Sequence, residues 1–296
     1  MTTGILMVTL GGPRNPEEIP GFIRNFIGRD LPPPAMRAVV ERYEKIGGFS
    51  PLVDITGEQA RALGEALGPG YLCAPAFRYA RPFIEDALDQ MAAAEPTRIL
   101  LLLLSPFYAG ITTGNYMERA KEHLKKKPLP IPVGFIHSWF REPLFIESWV
   151  EKMKEDLSHG EAFTLFSAHS LPNKDSNEPY RRQIEETVGM IAARAGIRNY
   201  ALGWQSIPNN VQEPWITPTV EERIDKIAAA GFGSLVQVPV GFTADHIETL
   251  YDIDIVHRKY AREKGLSFRR LPSLNAGNTF IRALKEVVLK FKGDEK

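Results

Sequence analysis

The stretch GFGSLVQVPVGFTADHIETLYDIDIVHRKYAR, Gly231 to Arg262, decides the fold. Ser234 to Val240 is an apolar run rich in Val and Leu, the mark of a strand buried on both faces. Gly241 breaks the run, and the residues after Ala244 take a helical period. Asp245, His246, Glu248, Asp252, Asp254 and His257 all fall within thirteen residues. On a regular helix Asp245, Glu248 and Asp252 share a face, because positions three, four and seven apart stack. His246 lies about 100° round from Asp245, so it need not point the way Glu248 does. A strand that hands carboxylates to a helix start at its carboxyl end sits where open α/β sheets bind ligands. The plainer use is structural, with Asp245 as N-cap and Glu248 as its capping-box partner. A second site in the chain has to decide between them.

Outward from this stretch, apolar strands alternate with helical segments. Gly4–Leu10, Tyr71–Phe77, Arg98–Leu104 and Ile131–Ile136 read as strands in one half, with helices at 17–27, 35–45, 55–67, 83–94 and 116–125 between them. The alternation restarts with a helix at 143–157. Strands follow at 162–168, 200–205, 234–240 and 267–271, with helices at 180–195, 219–230 and 278–291. Strands separated by helices of ten or more residues imply parallel sheets. Two such series, meeting near residues 137–145, imply two similar doubly wound lobes with a cleft between them. The lobes are expected at 1–140 and 141–296, the last helix crossing back to the first. Gly11-Gly12-Pro13 after the first strand is not GxGxxG, and no GxxxxGK[ST] occurs, so nucleotide binding has little support.

Composition narrows the classes. Lys plus Arg equals Asp plus Glu at 36 each, so no basic excess attracts nucleic acid. Cys73 is the only cysteine, which excludes an internal disulfide, a CxxC zinc site and a cysteine-ligated iron–sulfur cluster in this chain. The start lacks the basic region of a signal peptide. Ile99–Leu104 is far short of the ~20 apolar residues of a membrane span. A cytoplasmic protein is expected, a monomer being the simpler state. Phe22, Ile23, Phe26, Ile27 and Leu31 beside Pro32-Pro33-Pro34 offer either a peripheral membrane contact or a packed helix face.

The second site is His169, which directly follows the apolar strand AFTLFSA. A histidine there is more often a packing residue. Here two strand ends in one lobe each deliver a histidine, and one adds carboxylates. If those strands are neighbours, His169 and Glu248 face one cavity and suit metal binding or proton transfer. HExxH is absent, so a zinc hydrolase is weakly supported.

At these residues the sequence resembles the ferrochelatases, which insert Fe(II) into a porphyrin to make haem. VPVGFTADHIETLYDID (238–254), SAHSLP (167–172), YEKIGGFSPL (43–52), FRYARPFIEDAL (77–88), LSPFYAGITTGNY (104–116), LMVTLGGP, WQS and PWITPT carry the resemblance, in the family's order and over nearly the whole chain. It implies a chelatase-like fold of two Rossmann-like lobes, each a parallel sheet flanked by helices, with the porphyrin in the cleft. It implies that His169 and Glu248 are catalytic and contact the metal, and that Asp245, His246 and Asp252 line a proton or metal path. It also implies a porphyrin pocket of Leu10, Arg29, Tyr43, Ser50, Arg78, Tyr79 and Trp215. Core packing suits Trp215 as well as ligand contact does. Porphyrin and ferrous iron are then substrates, with no permanently bound cofactor.

The chemistry fits these residue types. A free-base porphyrin loses two pyrrole protons as the dication enters, so a proton acceptor must stand beside an apolar slot. Histidine, with an ordinary pKa near ~6.5, can take a proton and pass it on, while oxygen ligands hold Fe(II) without trapping it. The family often extends the acidic row by one turn, where this chain has Val256. Leu10 cannot ligate a metal, and it leaves the substrate open between protoporphyrin IX and coproporphyrin III. The rival readings are a cobalt or nickel chelatase for a sirohydrochlorin-type tetrapyrrole and a non-catalytic tetrapyrrole-binding protein.

Overall fold

The computed structural model describes residues 2–157, 162–208 and 212–291. The chain divides into two compact units, Met1–Glu142 with Asn275–Lys296, and Pro143–Leu274. In the first, β1 (Thr3–Thr9), β2 (Tyr71–Phe77), β3 (Arg98–Leu103) and β4 (Val133–Ile136) form a sheet in the order β2-β1-β3-β4. Every pairing is parallel. The helices of this stretch are α1 (Ile19–Ile27), α2 (Pro33–Glu44), α3 (Leu52–Leu67), α4 (Ile84–Ala92) and α5 (Asn115–Lys126). Leu6, Val8, Leu101 and Leu103 pack against Ile84, Leu88 and Ala120 of the helices. Residues 99–103 carry no polar side chain because helices cover both faces of a parallel sheet.

The second unit repeats the arrangement. β5 (Phe163–His169), β6 (Tyr200–Gln205), β7 (Ser234–Val238) and β8 (Ser267–Arg270) are parallel in the order β6-β5-β7-β8. Its helices are α6 (Pro143–Leu157), α7 (Glu178–Ala195), α8 (Val220–Ala229), α9 (Ile247–Leu250) and α10 (Arg258–Glu263). Leu165 and Leu235 of the sheet meet Val220, Ile224 and Ile227 of α8. The closing helix, α11 (Asn278–Lys290), belongs to the first unit and packs on α3. Within each sheet the connection reverses direction at its first strand, between β1 and β3 and between β5 and β7, which are the switch points where doubly wound sheets bind ligands.

The focal stretch departs from the expected strand and single helix. β7 ends at Val238, because Pro239 has no N–H for the ladder and the Val240 amide turns back to the Val238 carbonyl at 2.8 Å. Gly241 then passes hard against β5. Its amide donates to the Ser167 carbonyl at 3.1 Å, and a Cβ there would lie 2.7 Å from the Ala168 Cα. The segment of helical period resolves into α9, a π-helical turn over Asp252–His257, and α10. Among the described residues no helix is long and apolar enough to cross a membrane. In the candidate apolar patch Phe22 and Ile23 are buried, whereas Phe26 and Ile27 are exposed.

Candidate active site

His169 is the last residue of β5, and Glu248 lies in α9 just past β7, the strand paired beside it. The two are neighbours: His169 Nε2 stands 3.5 Å from Glu248 Oε1. His246 Nε2 approaches the other carboxylate oxygen at 3.4 Å. One carboxylate thus lies between two imidazoles, at ion-pair rather than hydrogen-bond distances.

The His169 ring is oriented from both ends. Its Nδ1 lies 2.5 Å from the Ser170 carbonyl oxygen, which can only accept, so Nδ1 carries the hydrogen. In the neutral ring Nε2 is then a bare lone pair, aimed at Glu248. Tyr180 donates its hydroxyl to the His169 carbonyl at 3.0 Å. Burial, and then the Glu248 charge, push that phenol up, so it stays neutral. The turn after β5 is pinned as the Ser170 amide donates to the Gln205 carbonyl and its hydroxyl to the Ile216 carbonyl. Burial alone would raise the Glu248 carboxyl, but His169 and then His246, when their rings carry a proton and its charge, outweigh it and hold the group down to about 2. Glu248 is therefore charged throughout the neutral range. The Gln205 side chain donates to the Glu248 carbonyl at 2.9 Å, fixing α9 to the end of β6.

The other expected path residues divide. His246 points at Glu248 because it precedes the helix: its backbone is extended, at φ −160° and ψ −170°, and regular helical spacing does not apply to it. The same fact removes Asp245 from the helix face that it was expected to share with Glu248 and Asp252. Asp245 is neither N-cap nor an open link in an acidic row. Its Oδ1 accepts Arg270 Nη1 at 2.8 Å, with the Thr249 hydroxyl at 3.2 Å and the Ser273 amide at 3.3 Å. The capping partners are His246 and Thr249, whose hydroxyl accepts the His246 amide at 3.0 Å. Asp252 opens the π turn and accepts the Ser206 hydroxyl at 2.6 Å. Trp215 stands beside the site, its ring 6.5 Å from that of His169.

In the first unit Leu10, Arg78 and Tyr79 meet past the ends of β1 and β2. The Arg78 amide donates to the Thr9 carbonyl and the Tyr79 amide to that of Leu10. The Arg78 guanidinium lies 4.6 Å from the Tyr79 ring centre and donates to Asn115 at 2.7 Å. Ser50 and Tyr43 are buried, each 2% exposed. The Ser50 amide is tied to the Pro13 carbonyl, and the Tyr43 carbonyl accepts the Ile46 and Gly48 amides. Arg29 is exposed, just past the αL residue Gly28. Tyr180, Gln205, Ser206, Thr249 and Arg270 were not among the residues singled out in the sequence, since each acts through a contact distant in the chain or through main chain. Gln205, Ser206 and Thr249 lie inside blocks that carry the family resemblance, whereas Tyr180 and Arg270 lie outside them.

Known structures with this fold include SirB from Bacillus subtilis with Fe3+, at a TM-score of 0.59 and 12% identity, covering 98% of this chain and 95% of that one. CbiX, the terminal enzyme of sirohaem biosynthesis in denitrifying bacteria, follows at 0.56 and 12%, covering 98% of each chain. Identity this low establishes fold alone, and the fold is that of the chelatase-like α/β proteins. Sequence takes the assignment further. The ferrochelatase family model matches residues 2–291, and the chain belongs to the ferrochelatase family, enzymes that insert iron into a porphyrin in haem biosynthesis. The coproporphyrin III ferrochelatase of Halalkalibacterium halodurans is 38% identical, over 97% of this chain and 96% of that protein. The ferrochelatase of Geobacter metallireducens is 36% identical, over 97% and 98%. The sirohydrochlorin chelatases share architecture, not this level of sequence.

Proposed function

We propose that His169 receives the pyrrole protons at Nε2 and that Glu248 holds the imidazolium so formed, while the porphyrin, coproporphyrin III in this reading, takes up Fe(II). The observation that carries it is the hydrogen bond from His169 Nδ1 to the Ser170 carbonyl, which leaves Nε2 bare and facing a carboxylate 3.5 Å away. Each pyrrole N–H bond breaks with its electron pair left on nitrogen for the iron, and the proton passes to Nε2. A metal on that same lone pair would stop the ring from accepting a proton, so proton transfer is the role assigned to it. Glu248, held down to about 2, is a poor resting place for a proton and a good counter-ion. Its second oxygen faces His246, which gives the proton an onward route. Asp245, engaged by Arg270, is not part of that route.

Coproporphyrin III is the substrate named for the Halalkalibacterium halodurans relative and for another from Geobacillus, 37% identical, which is the support for that part of the reading. The test is His169→Gln, assayed for metal insertion and separately for porphyrin binding by fluorescence. General-base loss should lower kcat by about 100-fold or more with binding little changed. Turnover at the wild-type rate refutes the role.

A further inference from the structure

We infer that Arg270, at the end of β8, is a positioning residue that holds Glu248 at His169 by bracing the chain on both sides of it. This rests on the assignment of Glu248 made above. Arg270 is part-buried, its side chain 9% exposed, and lies outside the blocks that carry the family resemblance. Its Nη1 donates to Asp245 Oδ1 at 2.8 Å and to the Leu271 carbonyl at 3.1 Å. Its Nη2 donates to Asp254 Oδ2 at 2.8 Å. Asp245 stands three residues before Glu248 and Asp254 six after it, so one guanidinium spans the whole segment in which α9 sits.

Within that span regular helix is scarce. α9 has four residues, and the π turn begins two residues after it. So short a helix has little stability of its own and takes its place from tertiary anchors. From Asp245 the bracing passes to the fully buried Thr249, whose hydroxyl lies 3.2 Å from Asp245 Oδ1, donates to the His246 carbonyl and accepts the His246 amide. At the other side Arg258 also binds Asp254, through Oδ1 at 2.9 Å. Two arginines and two aspartates balance the charge of the cluster, and Arg258, its side chain 39% exposed, keeps one end of it in water. Only a planar fork can reach both carboxylates at once; a lysine ammonium supplies the charge at one point.

The test is a double-mutant cycle on Arg270→Lys and Glu248→Gln, following kcat for zinc insertion, porphyrin affinity and the thermal midpoint. Arg270→Lys should lower kcat by roughly tenfold to a hundredfold, as misplacement of a reacting group does, with porphyrin affinity held. In the Glu248→Gln background the same change should have little further effect, because the group it positions is already gone. Losses that multiply in the double variant, or wild-type kcat in Arg270→Lys, overturn the inference. Glu248→Gln alone separates the two readings: normal turnover there refutes the assignment of Glu248 itself. Asp245→Asn, isosteric and leaving Arg270 in place, should reproduce the pattern and serves if Arg270→Lys does not fold.

Discussion

At the scale of single residues, the site is a matter of which atoms are already engaged. His169 has one nitrogen engaged by a carbonyl and the other facing the Glu248 carboxylate, so its two nitrogens are not equivalent. Glu248 shows the complementary effect, two imidazoles overriding the burial that would otherwise raise its pKa. A carboxyl depressed in the fold stabilises it above the ordinary carboxylate pKa of about 4.3, and that contribution is lost as pH falls towards about 2. Glu248→Gln should therefore lower the urea midpoint at pH 6, with the gap to wild type narrowing at pH 3. An equal gap at both pH values would contradict the charge pairing. Tyr180→Phe removes the hydroxyl on the His169 carbonyl and should cost about 1 kcal/mol in urea unfolding. It should slow insertion less than loss of the imidazole does, since it acts only on the position of the main chain.

At the scale of elements, the turn after β7 does most of the positioning. Gly241 allows the chain to cross within van der Waals reach of Ala168, the residue before His169. Gly241→Ala places a methyl 2.7 Å from backbone, so β5 and the turn must separate. Insertion should fall by about tenfold or more, with a loss of about 1–3 kcal/mol in stability, checked by steady-state rates beside thermal melts. Wild-type rates would show that the close approach is dispensable. The strands and long helices were legible in the sequence because apolar runs and a 3.6-residue period are local signals, clear at Ile99–Leu104 and Tyr180–Ala195. That β5 and β7 are neighbours, on which the meeting of His169 and Glu248 depends, stood in the sequence only as a condition, and the sheet meets it. The break before Ile247 was not legible: the periodic residues run on, and the extended backbone at His246 accompanies anchors at Arg270 and Ser273 that lie more than twenty residues away. Tyr43 and Ser50, which the family resemblance implies as ligand residues, are buried in the fold, Tyr43 in α2 and Ser50 in the loop before α3.

At the scale of the whole molecule, each unit carries its own parallel sheet with the same strand order, and His169, His246 and Glu248 gather at the switch point of the second. Acid stability has a source away from the site. Burial pulls His257 down to about 3, and it stays neutral at 3.1 Å from the Gln237 amide nitrogen. The unfolded chain takes up this proton first, so folding stability falls as pH drops from about 6.5 towards 3. In His257→Gln that part of the acid sensitivity should vanish from unfolding curves at pH 7 and pH 4. Parallel insertion rates with coproporphyrin III and protoporphyrin IX decide the substrate, and the tetracarboxylate is expected to react faster. The most direct test of the central claim is the tautomer of His169 in the intact protein, read by 15N NMR of histidine-labelled material with His169→Gln to assign the signal. The neutral ring should carry its hydrogen on Nδ1 with Nε2 bare. A hydrogen on Nε2 would contradict the assignment of that atom as the proton acceptor.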